Sequence, residues 1–299
     1  MMKNLSQSIM LTLGVAVALL ASCSTNNNES MESKTELPEK VTSFESGYSD
    51  VNGLKMYYEI HGEGDPLVLI HGGGSTIQTT FGNIIPDLAK NQKLIAVELQ
   101  AHGHTSDRDS PETFEQDADD VVTLLQNLGI AKASFFGFSN GGNTTMQIGI
   151  RHPERVNKLI IASAFFKREG MFPGFFDGME HASLDNMPAD LKEAFWAINP
   201  DSTKLLAMFN HDKNRMLGFQ DWDEALLQSI QAPSLIINGD QDVVQNTHAA
   251  LMAATIPNAR LMILPGNHGS YMGQVEGPYQ GSNTTELTLS VIDEFLKSE

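Results

Sequence analysis

The stretch Ser134 to Gly142, SFFGFSNGG, constrains this chain more than any other. Ser134-Phe135-Phe136 is a short apolar run of the length a buried parallel strand needs. The chain then turns sharply through Gly137-Phe138-Ser139-Asn140-Gly141 and enters a helical pattern near Gly142. A serine between glycines at G-x-S-x-G spacing, with a strand before it and a helix after it, reads as a nucleophile elbow. The small neighbours are required because Ser139 must sit on a strained turn with its hydroxyl projecting, leaving no room for adjacent β-carbons. The helix start adds backbone N–H groups and positive dipole beside that hydroxyl, which suit a developing oxyanion.

Around this stretch, short apolar runs alternate with helical patterns and no repeat is visible, which predicts an α/β fold with a mainly parallel sheet. With 299 residues, 41% of them hydrophobic, one large domain with a substantial core is expected. A hairpin is predicted from Tyr48 to Ile60 around Asn52-Gly53, a strong turn dipeptide. Leu67 to Ile70 is a buried strand running into His71-Gly72-Gly73-Gly74, and Leu94 to Val97 is the next strand. Ser110-Pro111-Glu112 carries the signals of a helix start, followed by an apolar stripe of Phe114, Ala118, Val121, Leu125 and Leu128 that Gly129 ends. Further strands are expected at 159–162, 234–238 and 260–264, and Leu287, Val291 and Phe295 mark a closing amphipathic helix.

Residues 165–230 break this rhythm with short helical patterns punctuated by Gly and Pro. Phe, Trp and Met supply 15 of these 66 residues, nearly twice the density that 36 Phe, Trp, Tyr and Met in the whole chain would give. The segment reads as a helical cap inserted between two strands. Most of its apolar side chains should simply bury against the main domain. Phe165, Phe166, Phe172 and Trp196 are the candidates to face a substrate cleft.

The amino terminus reads differently from the rest. Lys3 precedes an apolar run from Ile9 to Leu20, too short to span a bilayer comfortably, which ends in Leu20-Ala21-Ser22-Cys23. This resembles the lipobox of a bacterial lipoprotein. The resemblance implies cleavage of residues 1–22, acylation of Cys23 and a place in the bacterial cell envelope. Cys23 is the only cysteine, so no intramolecular disulfide can form. Residues 23–46, rich in Ser, Thr, Asn and Glu, read as a disordered tether whose root-mean-square reach is roughly 25 Å. The core is then expected over 47–164 and 231–299. With 19 Lys and Arg against 37 Asp and Glu, phosphate backbones would be repelled, which argues against a nucleic-acid partner. Membrane contact would come from the acyl chains alone.

Four motifs stand in order at strand ends: HGGG at 71–74, GFSNGG at 137–142, GDQD at 239–242 and PGNH at 265–268. With them the chain resembles the α/β-hydrolase superfamily from about Tyr48 onward, apart from the inserted segment. The resemblance implies a mostly parallel twisted sheet flanked by helices and the order nucleophile, acid, histidine. Ser139 is the candidate nucleophile, and a serine hydroxyl needs a base within hydrogen-bond reach. His268, directly after the last strand, is the candidate base. His71 is better suited to supporting the glycine loop, and His102 and His104 read as turn or surface groups. Asn267 stands where the family usually has Gly or Ser. The family pattern puts the orienting acid at Asp242 and leaves Asp240 to shape the loop, with Glu98 structural. The oxyanion hole is expected from the backbone N–H groups of Gly73 and Asn140.

The implied reaction is hydrolysis of a carboxylic ester of a small apolar acyl or aryl substrate through an acyl-enzyme. No cofactor is implied, and the scattered histidines lack paired metal-ligand spacing. The same triad would serve a lactonase, a C–C hydrolase or a cofactor-free peroxidase. A lipid-anchored binding protein on this fold is the reading from a different class, and a complete catalytic set counts against it.

Overall fold

A computed structural model describes residues 44–273 and 283–298. The expected signal segment, Cys23 and nearly all of the expected tether lie outside the described residues. In chain order the elements begin with β1 (Glu45–Val51), β2 (Leu54–His61), β3 (Asp65–Ile70), α1 (Ile77–Phe81), α2 (Ile85–Leu88) and β4 (Gln92–Val97). Next come α3 (Phe114–Asn127), β5 (Ala133–Phe138), α4 (Asn140–Arg151) and β6 (Val156–Ala162). Four helices fill the insertion: α5 (Phe175–Glu180), α6 (Ala189–Ile198), α7 (Ser202–Gly218) and α8 (Glu224–Gln228). The chain closes with β7 (Ser234–Gly239), α9 (Asn246–Thr255), β8 (Ala259–Leu264) and α10 (Thr284–Lys297).

The strands form one eight-stranded sheet in the order β1-β2-β4-β3-β5-β6-β7-β8. Only the pairings of β1 with β2 and of β2 with β4 are antiparallel. The first of these closes through Asn52-Gly53, both at positive φ, as the turn dipeptide requires. Strand β1 starts at Glu45, two residues before the boundary expected from composition. All six residues of β5 are buried, as they must be in a strand covered on both faces. Alternate residues go to opposite cores: Phe135, Ile161 and Ile236 to one, and Phe136, Ile160 and Leu235 to the other. Strands β3, β5, β6, β7 and β8 run parallel. Their carboxyl ends therefore share one edge, where a site is expected in such a sheet.

Two local expectations shift. Helix α3 starts at Phe114 and not near Ser110, because the Thr113 side chain accepts the Gln116 N–H at 3.1 Å and caps it there. On α10 the buried face is Thr288, Ile292 and Phe295, while Leu287 is 52% exposed. The expected stripe was thus one residue out at its start. Replacing Phe295 by Ala should destabilise the fold by about 3–5 kcal/mol, whereas Leu287→Ala should change stability by under about 0.5 kcal/mol. Urea unfolding measures both, and equal losses would contradict this packing of α10.

Candidate active site

The elbow is built as its residue types demand. Ser139 has φ +55°, a conformation that costs a non-glycine residue and persists only where its surroundings impose it. Those surroundings are tight: a β-carbon on Gly137 would overlap the Gly141 carbonyl, and one on Gly141 would overlap that of Ile70. The neighbouring strand β6 holds Ser139, whose N–H donates to the Ala162 carbonyl at 2.8 Å. Helix α4 begins at the next residue, so its first N–H groups have no intrahelical acceptor and face the same region.

Ser139, Asp242 and His268 come together from the ends of β5, β7 and β8. His268 Nε2 lies 3.1 Å from Ser139 Oγ, and His268 Nδ1 lies 2.7 Å from Asp242 Oδ1. A neutral imidazole in this arrangement donates from Nδ1 to the carboxylate and accepts the serine proton at Nε2. Burial alone would raise the Asp242 pKa. The His268 charge and hydrogen bonds from His268 and Ser163 outweigh that and hold it below the usual carboxylate range. Asp240 shapes the neighbouring loop by accepting the Gly266 N–H at 2.8 Å.

Two residues that sequence reasoning did not single out continue this line. Ser163, also at positive φ (+50°), donates to Asp242 Oδ2 at 2.5 Å and lies 2.6 Å from the Tyr271 hydroxyl. Because a serine has a single proton, Tyr271 must be the donor in the second bond. Tyr271 is fully buried, which pushes its pKa well up and keeps it neutral in that role. The signal was the absence of a carboxylate after β6, where Ser163 stands instead.

The glycine loop after β3 approaches from the other side. His71 is buried and neutral. Burial, with the charge of His102, lowers its pKa to about 3. Its Nδ1 donates to the Gly72 carbonyl at 2.7 Å and its Nε2 accepts the Leu99 N–H at 3.0 Å, which supports the loop. The Gly74 N–H donates to Asp212 Oδ2 at 2.6 Å. The Gly73 N–H has no such partner among the described residues and stays available beside Asn140.

His102 lies in a turn, as expected, but it is not a surface group: it is fully buried. Its Nδ1 lies 2.8 Å from the Gln100 carbonyl and its Nε2 lies 3.0 Å from Asp212 Oδ2, so two acceptors face its two nitrogens. Both bonds require the imidazolium. Burial would lower its pKa, but the Asp212 charge and hydrogen bond raise it to about 9. His104, by contrast, pairs with buried Glu98 at 2.9 Å.

Arg215 completes a buried charge cluster, lying 2.5 Å from Asp212, 2.7 Å from Asp117 and 3.1 Å from Glu112. Burial raises the pKa of both Glu112 and Asp117, consistent with two carboxyls sharing one guanidinium. Sequence reasoning searched the insertion for apolar residues and passed over Asp212 and Arg215. Their i, i+3 spacing on a helix with an apolar face was the available signal.

The four candidate pocket residues are not brought together at the nucleophile. Phe165 and Phe166 are packed into the core, Phe166 stacked on His248 with ring centres 4.7 Å apart. Phe172 and Trp196 are 44% and 47% exposed. Phe165 packs on Phe219 at 4.7 Å between ring centres, within the core cluster that also holds Ala164 and Trp222. Met187 and Leu191 from the insertion lie beside Gly74 instead. A cavity of about 1010 Å³ opens between the 107–115 segment and the end of α7, lined by Glu112, Phe114, Arg215, Phe219 and Trp222 among others. None of Ser139, Asp242 and His268 lines it.

The His102 proton has a consequence for stability. The groups facing His102 are Asp212 and Arg215 from α7, Glu112 and Asp117 at the start of α3, and His71 after β3. A raised histidine pKa means its contribution is complete below about pH 6.5 and is lost as pH rises through about 9. The gap corresponds to a contribution on the order of 3 kcal/mol. NMR of the ring should show a midpoint near pH 9, and the Tm should fall between about pH 6.5 and 9 more steeply than in His102→Gln. A midpoint near 6.5 would contradict the pairing.

Comparison with known proteins agrees with this geometry. The family model described as α/β hydrolase fold matches residues 65–188. Human serine hydrolase BPHL is 30% identical over 245 residues, covering 77% of this chain and 82% of the relative. The 2-hydroxymuconate semialdehyde hydrolase of Pseudomonas sp. strain CF600 is 29% identical over 170 residues, 54% of this chain and 53% of that protein. Among solved structures, the enol-lactonase from Burkholderia xenovorans LB400 superposes with a TM-score of 0.65 at 22% identity, covering 84% of this chain and all of that one. With its sheet order, its elbow and a relative matched over most of its length, the chain belongs to the α/β-hydrolase family.

Proposed function

We propose that this protein is a serine hydrolase that cleaves a carboxylic ester of a small apolar acyl or aryl substrate, with Ser139, His268 and Asp242 as its catalytic triad. The observation that carries the reading is the unbroken line from Asp242 through His268 to Ser139, at 2.7 and 3.1 Å, beside available N–H groups. His268 accepts the Ser139 proton as Oγ attacks the acyl carbonyl. The Gly73 and Asn140 N–H groups hold the resulting oxyanion. Collapse of the intermediate releases the alcohol with the proton from His268, leaving an acyl-enzyme. Water, deprotonated by His268, then attacks the acyl group and regenerates Ser139. Asp242, fixed by Ser163 and Tyr271, keeps the imidazole in the productive tautomer and balances its transient charge.

The charge of the surroundings favours an uncharged substrate. His102 and Arg215, the cations beside the glycine loop, are both neutralised by buried carboxylates. A carboxylate on the substrate would find no unpaired cation there among the described residues, so it would lose hydration without compensation. This weighs against a substrate like that named for the 2-hydroxymuconate semialdehyde hydrolase. Lactone opening, C–C cleavage or cofactor-free peroxidation on the same triad is the second reading, and the hydrolase and enol-lactonase matched above favour the first two. A binding role without catalysis is disfavoured by the intact hydrogen-bonded triad. Turnover of p-nitrophenyl esters of graded chain length, set against lactones and carboxylate-bearing diketones, separates these. Preference for the diketones would overturn the ester reading. Ser139→Ala should lower kcat by about 10⁴-fold. Activity retained in that variant would remove Ser139 from the chemistry.

We also infer a lipid anchor at Cys23 that holds the domain at a bacterial envelope membrane, from the apolar run and the Leu20-Ala21-Ser22-Cys23 ending. The hydrolytic site would then work within roughly 25 Å of the membrane surface. Cells given labelled palmitate should label the protein, and Cys23→Ala should abolish the label and release the domain to the soluble fraction. Unchanged fractionation of the variant would refute the anchor.

A further inference from the structure

Asp212 stands where an apolar cap helix would not be expected to place a charge. It belongs to α7 in the insertion, yet its carboxylate reaches the glycine loop and the elbow together. Oδ2 accepts the Gly74 N–H at 2.6 Å and the His102 Nε2–H at 3.0 Å. Oδ1 accepts the Asn140 Nδ2–H at 3.0 Å and an Arg215 N–H at 2.5 Å. Four donors fill the four lone-pair directions of a carboxylate, so nothing remains for a substrate amine or hydroxyl. Asp212 is therefore not a substrate-binding group. A negative charge beside a developing oxyanion would oppose it, and the two cations on Asp212 cancel that charge.

What the carboxylate does is fix geometry. By taking the Gly74 N–H it leaves the preceding Gly73 N–H as the available donor of the loop. By holding the Asn140 side chain it fixes the residue whose backbone N–H is the second donor. A β-carbon built on Gly73 would meet both Asn140 Nδ2 and Asp212 Oδ1, so the three groups are in close contact. We propose that Asp212 is a positioning residue through which the seated insertion assembles the oxyanion hole, coupling closure over the site to catalytic competence. The proposal rests on the assignment of Ser139, Gly73 and Asn140 above. Without the carboxylate, the loop and the elbow lose their common tie, and each donor is free to move by the few tenths of an ångström that such a hole does not tolerate.

The test uses the full-length protein and Asp212→Asn and Asp212→Ala variants, with p-nitrophenyl butyrate as substrate. A trifluoromethyl ketone serves as probe, since Ser139 Oγ adds to its carbonyl and leaves a tetrahedral alkoxide in the hole. The expected result is a fall in kcat of roughly 30- to 100-fold with KM changed less than about threefold, and a rise in the ketone Ki matching the loss in kcat/KM. A structural role alone would lower the folded fraction and leave the Ki of the remaining protein unchanged. Unchanged kcat and Ki in folded variants, or a rise in KM alone, would overturn the proposal. Should both variants fail to fold, Asn140→Ala keeps the backbone donor and the charge cluster intact. It is expected to raise Ki and lower kcat in parallel by roughly five- to tenfold, and an unchanged Ki there overturns the proposal. If the unaltered protein neither turns over esters nor binds the ketone, the ester reading itself has failed; an active parent with equally active variants dismisses Asp212 alone.

Discussion

A single hydrogen bond, from the Ser139 hydroxyl to His268 Nε2, is the interaction to which the rest of the structure is subordinate. The partners are 129 residues apart in the chain, and their 3.1 Å separation exists because β5 and β8 end at one edge of a parallel sheet. Strands β6 and β7 lie between them, and each adds a residue to the line: Ser163 from the end of β6 and Asp242 from beyond β7. The parallel strand ends thus bring groups that are distant in the chain to one place. Burial on both faces makes the register of these strands rigid, because a slip by one residue would exchange the two cores.

The site also stores strain in two places, and both are functional positions. Ser139 and Ser163 are among the few non-glycine residues with positive φ, along with Asn52 and Ala101. Each of the two serines follows the last residue of a central strand, and each aims its hydroxyl at a member of the triad. Their strain is imposed by the ladder bonds that precede them, from Ser139 N–H to Ala162 and from Ser163 N–H to Ile237, both at 2.8 Å. The glycine loop and the insertion meet over a cluster of buried charges as well as the apolar contacts of Met187 and Leu191. Such clusters tend to be weak sources of net stability, and they specify one arrangement because a misplaced partner leaves a buried charge exposed to no counter-ion.

Much of this was legible in the sequence, and the boundary has a physical form. The elbow announced itself through residue types that sterics require, and His268 and Asp242 through their positions just after strands. The strands were readable because burial on both faces turns them into uninterrupted apolar runs. What stayed hidden depends on contacts between distant residues. Asp212 and Arg215 look like ordinary solvent-facing positions of an amphipathic helix until α7 is set against the loop after β4. His102 sits in a polar loop that would be exposed had the insertion not covered it. Phe165 and Phe166 are expected at the cleft because an inserted cap covers the site it excludes water from, and the core takes both rings instead. On α10 a one-residue error in the stripe followed from reading Leu287 as packed, when the helix turns that side chain outward.

The central claim is that the proton line ends in a covalent bond at one hydroxyl. Rapid quenching of the protein with a slow-deacylating aryl ester, followed by peptide mass mapping, addresses it directly. The account predicts an acyl mass increment on the peptide that contains Ser139 and on no other. An increment elsewhere, or turnover with no covalent adduct at any point in the burst, would contradict it.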